Sequence, residues 1–346
     1  MPIAFDPNAA AAPDSGIFGL PFAVEESRLV LIPVPWEATL SGGEGTAGGP
    51  EAILAASRQV DYCDVEMRRP WAAGIAMLPP LAGVADWNRV AREAARRVIA
   101  RGEAGDAPGL QADLAQVNAL GERVRARVFE ATAAELDAGR MVGIVGGEHS
   151  VPLGAIEAVA ARHAGLGILH VDAHLDLRAA YEGFVLSHAS IMRNVVERVP
   201  GVARLVSVGP RDFCEEELDY AQSGPERIRA FFDGPLRERL LRGETFHALA
   251  EEIVAALPGE VWISFDIDGL DPALCPETGT PVPGGLSFPE ADHLLRLLVR
   301  SGRRILGFDL CEVAAAPRDA NVGARLLYRL CAWTLAAQGG RPNAGV

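Results

Sequence analysis

This chain predicts a three-layer α/β/α fold, with a mostly parallel open sheet and helices on both faces. Short apolar runs rich in Val, Ile and Leu recur without polar alternation. Such runs mark strands buried on both faces, as in a parallel sheet. Stretches of helical spacing separate them, and strand–helix alternation implies right-handed crossovers. Clusters of His and Asp follow several of the runs, at the strand ends where open α/β sheets gather their sites.

The elements follow in chain order. Met1–Gly16 has neither the basic nor the apolar region of a signal peptide, and residues 1–20 are expected to form a flexible tail. Strands are predicted at Leu29–Pro33, Val142–Val145, Gly167–Val171, Leu205–Val208, Val261–Phe265 and Ile305–Leu310. Helices are predicted at Val151–Arg162, Ser190–Arg198, Phe246–Ala256 and Pro289–Ser301. Residues 86–140 read as a helical insert of two or three helices, because Val90, Ala94 and Val98, then Leu114, Val117, Val124 and Val128, recur at helical spacing. A loop is expected around Gly105–Gly109. The insert reads as a surface helical layer, with an oligomer contact or a lid as the alternative. No repeat or linker divides the 346 residues, so one domain over 1–346 is expected.

At 49% hydrophobic, the chain can build a full core. Its net charge of -14, with every basic residue an arginine and no basic stripe, argues against nucleic acid and anionic membrane. The balance suits a small cationic substrate. Five scattered cysteines with no CxxC pair read as free thiols in a reducing cytoplasm. No apolar run is long enough to span a bilayer.

Five of the seven histidines lie between residues 149 and 188. His149 follows Gly146-Gly147-Glu148. Asp172, His174 and Asp176 alternate just past a predicted strand, and Asp266 and Asp268 do the same past another. Period-2 geometry would point each set one way. Six such groups on buried strand ends would repel one another without a cation. Together they form a candidate ligand set for two divalent ions, of which Mn²⁺ suits hard oxygen donors with two imidazoles; nickel, cobalt and zinc remain open. Two ions about 3.5–4 Å apart can make a shared water nucleophilic near neutral pH, for attack on a planar, electron-poor carbon. Asp176 and Asp268 then read as a proton relay, and His188 as a shuttle to solvent. His170 reads as a support behind the ligands or as packing, and His163, His247 and His293 as structural.

The three clusters, Gly146–Ser150, Asp172–Asp176 and Ser264–Pro272, together resemble the arginase/agmatinase (ureohydrolase) family. Gly45–Ile53, Val208–Asp212 and Asn321–Leu330 extend the likeness over most of the chain. The resemblance implies an open α/β/α fold with a binuclear manganese centre, with Ni²⁺ or Co²⁺ as alternatives. One ion would take His149, Asp172, Asp176 and Asp266, the other Asp172, His174, Asp266 and Asp268. His188 matches the family's shuttle histidine, and Glu312 the glutamate that holds a guanidinium. A carboxylate suits that role, since it pairs a planar cation through two parallel hydrogen bonds. Homotrimers or hexamers are also implied.

The motifs look nearer agmatinase than arginase. The expected reaction is hydrolysis of a guanidino compound to urea and an amine, with agmatine to putrescine in the lead. Guanidinobutyrate, guanidine and substituted guanidines or biguanides are alternatives. So are a formimino or amide hydrolase and a non-catalytic subunit working beside a paralogue. Trp36, Glu37, Arg178, Tyr181, Glu182, Arg211 and Glu215 are candidate specificity residues, with a solvated or core role as the default reading for each. Trp36 would serve as an apolar wall. Arg178 or Arg211 would favour a carboxylate tail, and Glu182 or Glu215 an amine tail.

Overall fold

The structure is a computed structural model that describes residues 5–102, 104–105, 107–223 and 226–338. Its centre is one eight-stranded parallel sheet, in the order β2-β1-β3-β8-β7-β4-β5-β6. The strands are β1 (Leu29–Val34), β2 (Ile75–Met77), β3 (Met141–Gly146), β4 (Leu166–Val171), β5 (Val202–Val208), β6 (Ile228–Phe231), β7 (Glu260–Asp266) and β8 (Arg304–Cys311). All six predicted strands are present. The two that sequence reading missed, β2 and β6, are the short edge strands.

Alternate residues of each strand feed two cores. On one face Leu29, Leu31, Val145, Leu169 and Val171 pack against helices α1 (Gly49–Ser57), α8 (Phe246–Ala255), α9 (Phe288–Arg300) and α10 (Pro317–Ala336). On the other, Ile32, Ile144, Leu166, Ile168 and Trp262 pack against α2 (Val84–Ile99), α3 (Pro108–Asp137), α4 (Leu153–Ala160) and α5 (Ile191–Arg198). Burial on both faces explains why these strands read as unbroken apolar runs. Two further helices, α6 (Glu215–Ser223) and α7 (Asp233–Leu241), flank β6.

The predicted insert consists of α2 and α3. Its loop ends earlier than expected, because Pro108 starts α3 and carries Gly109 into the helix. The expected tail is also shorter. Residues 1–4 lie outside the described residues, but Phe5 packs on Tyr62 and Trp71, and Ile17, Phe18 and Leu20 are buried. These side chains remove enough apolar surface from water to tie the segment down.

Candidate metal centre

The parallel order sets the C-terminal ends of β3, β8, β7 and β4 side by side at the middle of the sheet. His149 follows β3, Glu312 follows β8, Asp266 ends β7, and Asp172 follows β4. The backbone at Gly147 passes so close to Trp36 that an added Cβ would sit 2.1 Å from the Trp36 carbonyl oxygen. This close approach explains the second glycine before His149.

Neither aspartate segment continues as a strand. Past β7 the chain makes a short 3-10 turn, and the Asp268 N–H donates to Asp266 Oδ1 at 2.9 Å. Past β4, Asp176 takes a left-handed φ of 55°. The expectation that alternation alone would align these side chains is therefore corrected, since turns and a strained residue aim them. Strain of this kind persists where surrounding structure over-determines it.

The six residues nonetheless converge. Nδ1 of His149 lies 3.0 Å from Asp172 Oδ2, 3.2 Å from Asp176 Oδ2 and 3.3 Å from Asp266 Oδ2. Nδ1 of His174 lies 3.3 Å from Asp172 Oδ1 and 3.2 Å from Asp268 Oδ2. Asp172 thus turns one oxygen to each histidine. Donor atoms about 3 Å apart are what neighbouring ligands of one ion with bonds of about 2.1 Å require. The residues present therefore fit a pair of divalent cations sharing Asp172.

The electrostatics agree. Burial disfavours a charged His149, yet hydrogen bonds to Asp172, Asp176, Asp266 and Asp309 hold its pKa well above the ordinary imidazole value. Burial likewise opposes charge on His174, but Asp268 and Asp172 push its pKa up to about 12. Asp176 is raised to about 6 by burial and by the Asp172 charge. Asp266 is raised well above the usual carboxylate range by burial, Asp268 and Asp172. Asp172 falls well below it, because His170, His149 and His174 outweigh its burial. Carboxylates this crowded and buried favour nearby positive charge.

Behind the cluster, buried polar groups orient it. Asp309 accepts from Trp262 Nε1 at 2.6 Å and from Ser264 Oγ at 3.0 Å. With that hydroxyl proton committed, Ser264 Oγ accepts from His149 Nε2 at 2.9 Å, leaving the Nδ1 lone pair turned to the carboxylates. His170 bridges Ser207 Oγ at 3.0 Å and Asp172 Oδ2 at 2.9 Å. Ser264 and Asp309 carried one legible signal, as polar residues inside apolar strands.

Glu312 also has a left-handed φ, of 61°. Its Oε1 accepts the His149 N–H at 2.9 Å, while the buried Oε2 has no partner among the described residues. Burial and the charge of Glu148 raise its pKa well above the carboxylate range.

A cavity of about 240 Å³ opens onto the cluster, with His174, Asp176, His188 and Thr280 on its inner side. Arg178, Tyr181, Asp212, Phe213 and Glu217 form its outer wall. Burial and the nearby His174 push the His188 pKa down to about 3. Arg178 stacks over Tyr181 at 4.9 Å, with its Nε 3.6 Å from Glu217 Oε2.

Other specificity candidates sit elsewhere. Trp36 is buried, and its indole N–H donates to Glu148 at 3.0 Å, so it builds the site's support and is no cavity wall. Arg211 spends its guanidinium on the carbonyls of Val282, Gly209, Asp268 and Leu270, so it leaves no fork for a substrate carboxylate. Glu37 binds the N–H groups of Gly45 and Ala47, both at 2.9 Å. Neither Glu182 nor Glu215 lines the cavity.

Sequence reading missed Glu148, Thr39, Asp212 and Glu217. It left unassigned the role of α2, whose Arg92 donates to the carbonyl of Leu40 at 2.6 Å beside the site loop. Among the described residues no helix is long and apolar enough to cross a membrane.

Comparison with known proteins bears on this geometry. The Arginase family profile matches residues 27–335. An N(1)-aminopropylagmatine ureohydrolase of Thermus thermophilus is 32% identical over 292 residues, covering 84% of each chain. An agmatinase of Bacillus cereus is 28% identical over 294 residues, again covering 84% of each. Proclavaminate amidino hydrolase from Streptomyces clavuligerus shares the fold, with a TM-score of 0.73 at 22% identity over 95% of this chain and all of that one.

Proposed function

Because the chain belongs to the arginase family, we propose that it hydrolyses an agmatine-like guanidine to urea and an amine, with agmatine or its aminopropyl-extended form as substrate. The observation that carries this reading is the convergence of His149, Asp172, Asp176 and Asp266 around one point and of Asp172, His174 and Asp268 around a second. We assign these six residues as metal ligands. When bound, two divalent ions there supply the Lewis acidity that makes water nucleophilic near neutral pH. Oxygen-rich ligation with two imidazoles favours Mn²⁺, with Ni²⁺ or Co²⁺ as alternatives.

The chain's own groups supply the rest. The free oxygen of Glu312 binds the planar guanidinium through a charge-assisted hydrogen bond and fixes its central carbon beside the cluster. Water adds to that carbon. Asp176 and Asp268 pass the proton on to the departing nitrogen, and His188, on the cavity wall, exchanges protons with solvent. The C–N bond breaks, leaving urea and a protonated amine.

The outer wall supports an amine tail. Asp212 is an exposed carboxylate on the cavity with no ion-pair partner among the described residues, whereas Arg178 has Glu217 beside it. Arg178 also supports a second reading, a carboxylate-tailed substrate such as guanidinobutyrate. We further propose a cytoplasmic homo-oligomer, which the five free cysteines suit.

The test is urea release by Mn²⁺-loaded protein from agmatine, aminopropylagmatine, guanidinobutyrate, arginine, guanidine and a biguanide, with metal content measured on the same sample. Chelator-sensitive release from the amine-tailed compounds is expected. Release from guanidinobutyrate alone would favour the second reading, and two bound ions with no urea from any compound would reject both.

A further inference from the structure

Glu148 is completely buried although it is ionisable, and nothing in the proposed reaction uses it. Its Oε1 accepts from Trp36 Nε1 at 3.0 Å, from Ser150 Oγ at 2.6 Å and from Thr39 Oγ1 at 3.0 Å. Its Oε2 accepts the Thr39 N–H at 2.7 Å. Thr39 is therefore gripped twice, by backbone and by side chain, and its single hydroxyl proton is committed to Glu148.

That commitment leaves Thr39 Oγ1 as an acceptor toward its remaining neighbours, which both belong to His188. The backbone N–H of His188 lies 3.3 Å away, and its Nδ1 lies 3.3 Å away. Ser187 Oγ, also 3.3 Å from Nδ1, accepts the Ala189 N–H and keeps its own hydroxyl proton. Tyr181 packs edge-on to the His188 ring at 5.6 Å and holds its plane. An imidazole held by Thr39, which can only accept, carries its proton on Nδ1 and presents an unprotonated Nε2, whereas a proton donated by Ser187 would reverse the tautomer.

We infer that Thr39, backed by Glu148, is a positioning pair that fixes the ring and the tautomer of His188, so that Nε2 faces the cavity ready to take a proton. The kinetic part of this inference rests on the hydrolase reading above. The pair joins two chain segments more than a hundred residues apart, the turn after β1 and the turn after β3, to the loop that carries His188. Thr39 has none of the six proposed ligands among its hydrogen-bond partners, so its direct contact with the machinery is through His188.

The test compares Thr39→Val, Thr39→Ser and Glu148→Gln in the metal-loaded full chain. Thr39→Val keeps size and burial but removes the acceptor. It should lower kcat by roughly 10- to 100-fold, leave KM within about twofold and leave metal content unchanged. Thr39→Ser restores the hydroxyl and should restore kcat, and Glu148→Gln should fall between the two. A second readout needs no turnover: ¹⁵N-edited imidazole spectra of the metal-free full chain should show His188 with a protonated Nδ1 and a pyridine-type Nε2. Thr39→Val should abolish that preference. The inference is overturned if Thr39→Val keeps kcat within threefold, if Thr39→Ser fails to rescue, or if the wild-type spectrum places the proton on Nε2. Wild-type protein that releases no urea from any guanidine rejects the hydrolase reading, and the spectrum then still decides the tautomer.

Discussion

The inner and outer halves of the site are built on different principles. The inner half sits on strand ends and short turns, is almost fully buried, and crowds His149 and His174 against four aspartates. Buried neighbours aim its side chains, as Ser264 and Asp309 do for His149 and His170 does for Asp172. The outer half is carried by the loops at 178–181 and 212–214 and the start of α6, and its mouth is open to solvent, with Arg178 about one-third exposed and Asp212 exposed. Rigid strand ends suit chemistry that tolerates little displacement, and loops suit selection among tails. Changes to the inner half should therefore abolish the reaction, while changes to the outer half should re-rank substrates.

The largest effect should come from Asp268→Asn. The amide keeps the shape and can keep the hydrogen bond from the Ala173 N–H, but it replaces the oxygen facing Thr280 Oγ with an NH2 group and removes one negative charge. Urea release should fall on the order of a thousandfold, with a loss of bound metal measured by elemental analysis. Retention of activity within a few-fold would break the inner half of the comparison.

A pH test comes next. Asp176 is held at about 6, first by burial and then by the Asp172 charge, against an ordinary value of 3.8. A raised folded pKa means that the native state binds this proton more tightly than the unfolded chain does. The stabilisation it brings is full below 3.8 and is lost as pH climbs to about 6. In denaturant melts of metal-free protein, wild type should therefore lose up to about 3 kcal/mol relative to Asp176→Asn across that window. Metal uptake needs the same carboxylate ionised, so metal affinity should rise over the same pH range. A stability difference that stays flat would mean that the inner carboxylates do not repel.

A smaller effect, on stability, concerns Trp36, which the sequence offered as a substrate wall or a core residue and which the structure places in the core. Trp36→Phe keeps a buried aromatic ring, though a smaller one, and removes the N–H that Glu148 accepts. Losing a hydrogen bond to an acidic group should cost about 2 kcal/mol in thermal or denaturant unfolding, with KM for every guanidine unchanged. A change in KM that depends on the tail would return Trp36 to the role of a substrate wall.

What the sequence made legible follows the same division. The central strands carry continuous apolar runs because both faces are buried, and the metal motifs lie within short windows at their ends. Edge strand β6 is only four residues long, with its two middle positions outside the core, so no such run marks it. Glu148 lay inside a motif that was read, but its role depends on Thr39, over a hundred positions away. Asp212 and Glu217 line the cavity only because β5 delivers its following loop beside β4. Arg211 looked like a substrate-binding cation for the same reason: its carbonyl partners, at 209 and at 268–282, come mostly from a distant part of the chain.

The smallest predicted effect probes the outer wall itself. Asp212 offers an exposed carboxylate to the cavity, and a solvent-screened ion pair contributes little. Asp212→Asn should therefore raise KM for agmatine about three- to tenfold and leave kcat nearly unchanged. Butylguanidine, which has the same reach but no terminal charge, should show no such rise. Guanidinobutyrate should improve modestly, because Arg178 would then meet less competing negative charge at the mouth. Raising the salt concentration should erase the difference for agmatine in wild type before it touches the variant, as expected for an exposed pair. An equal rise in KM for agmatine and butylguanidine would show that Asp212 shapes its loop and does not read the tail, and tail selection would then fall to Tyr181 and Phe213, the aromatic walls beside it.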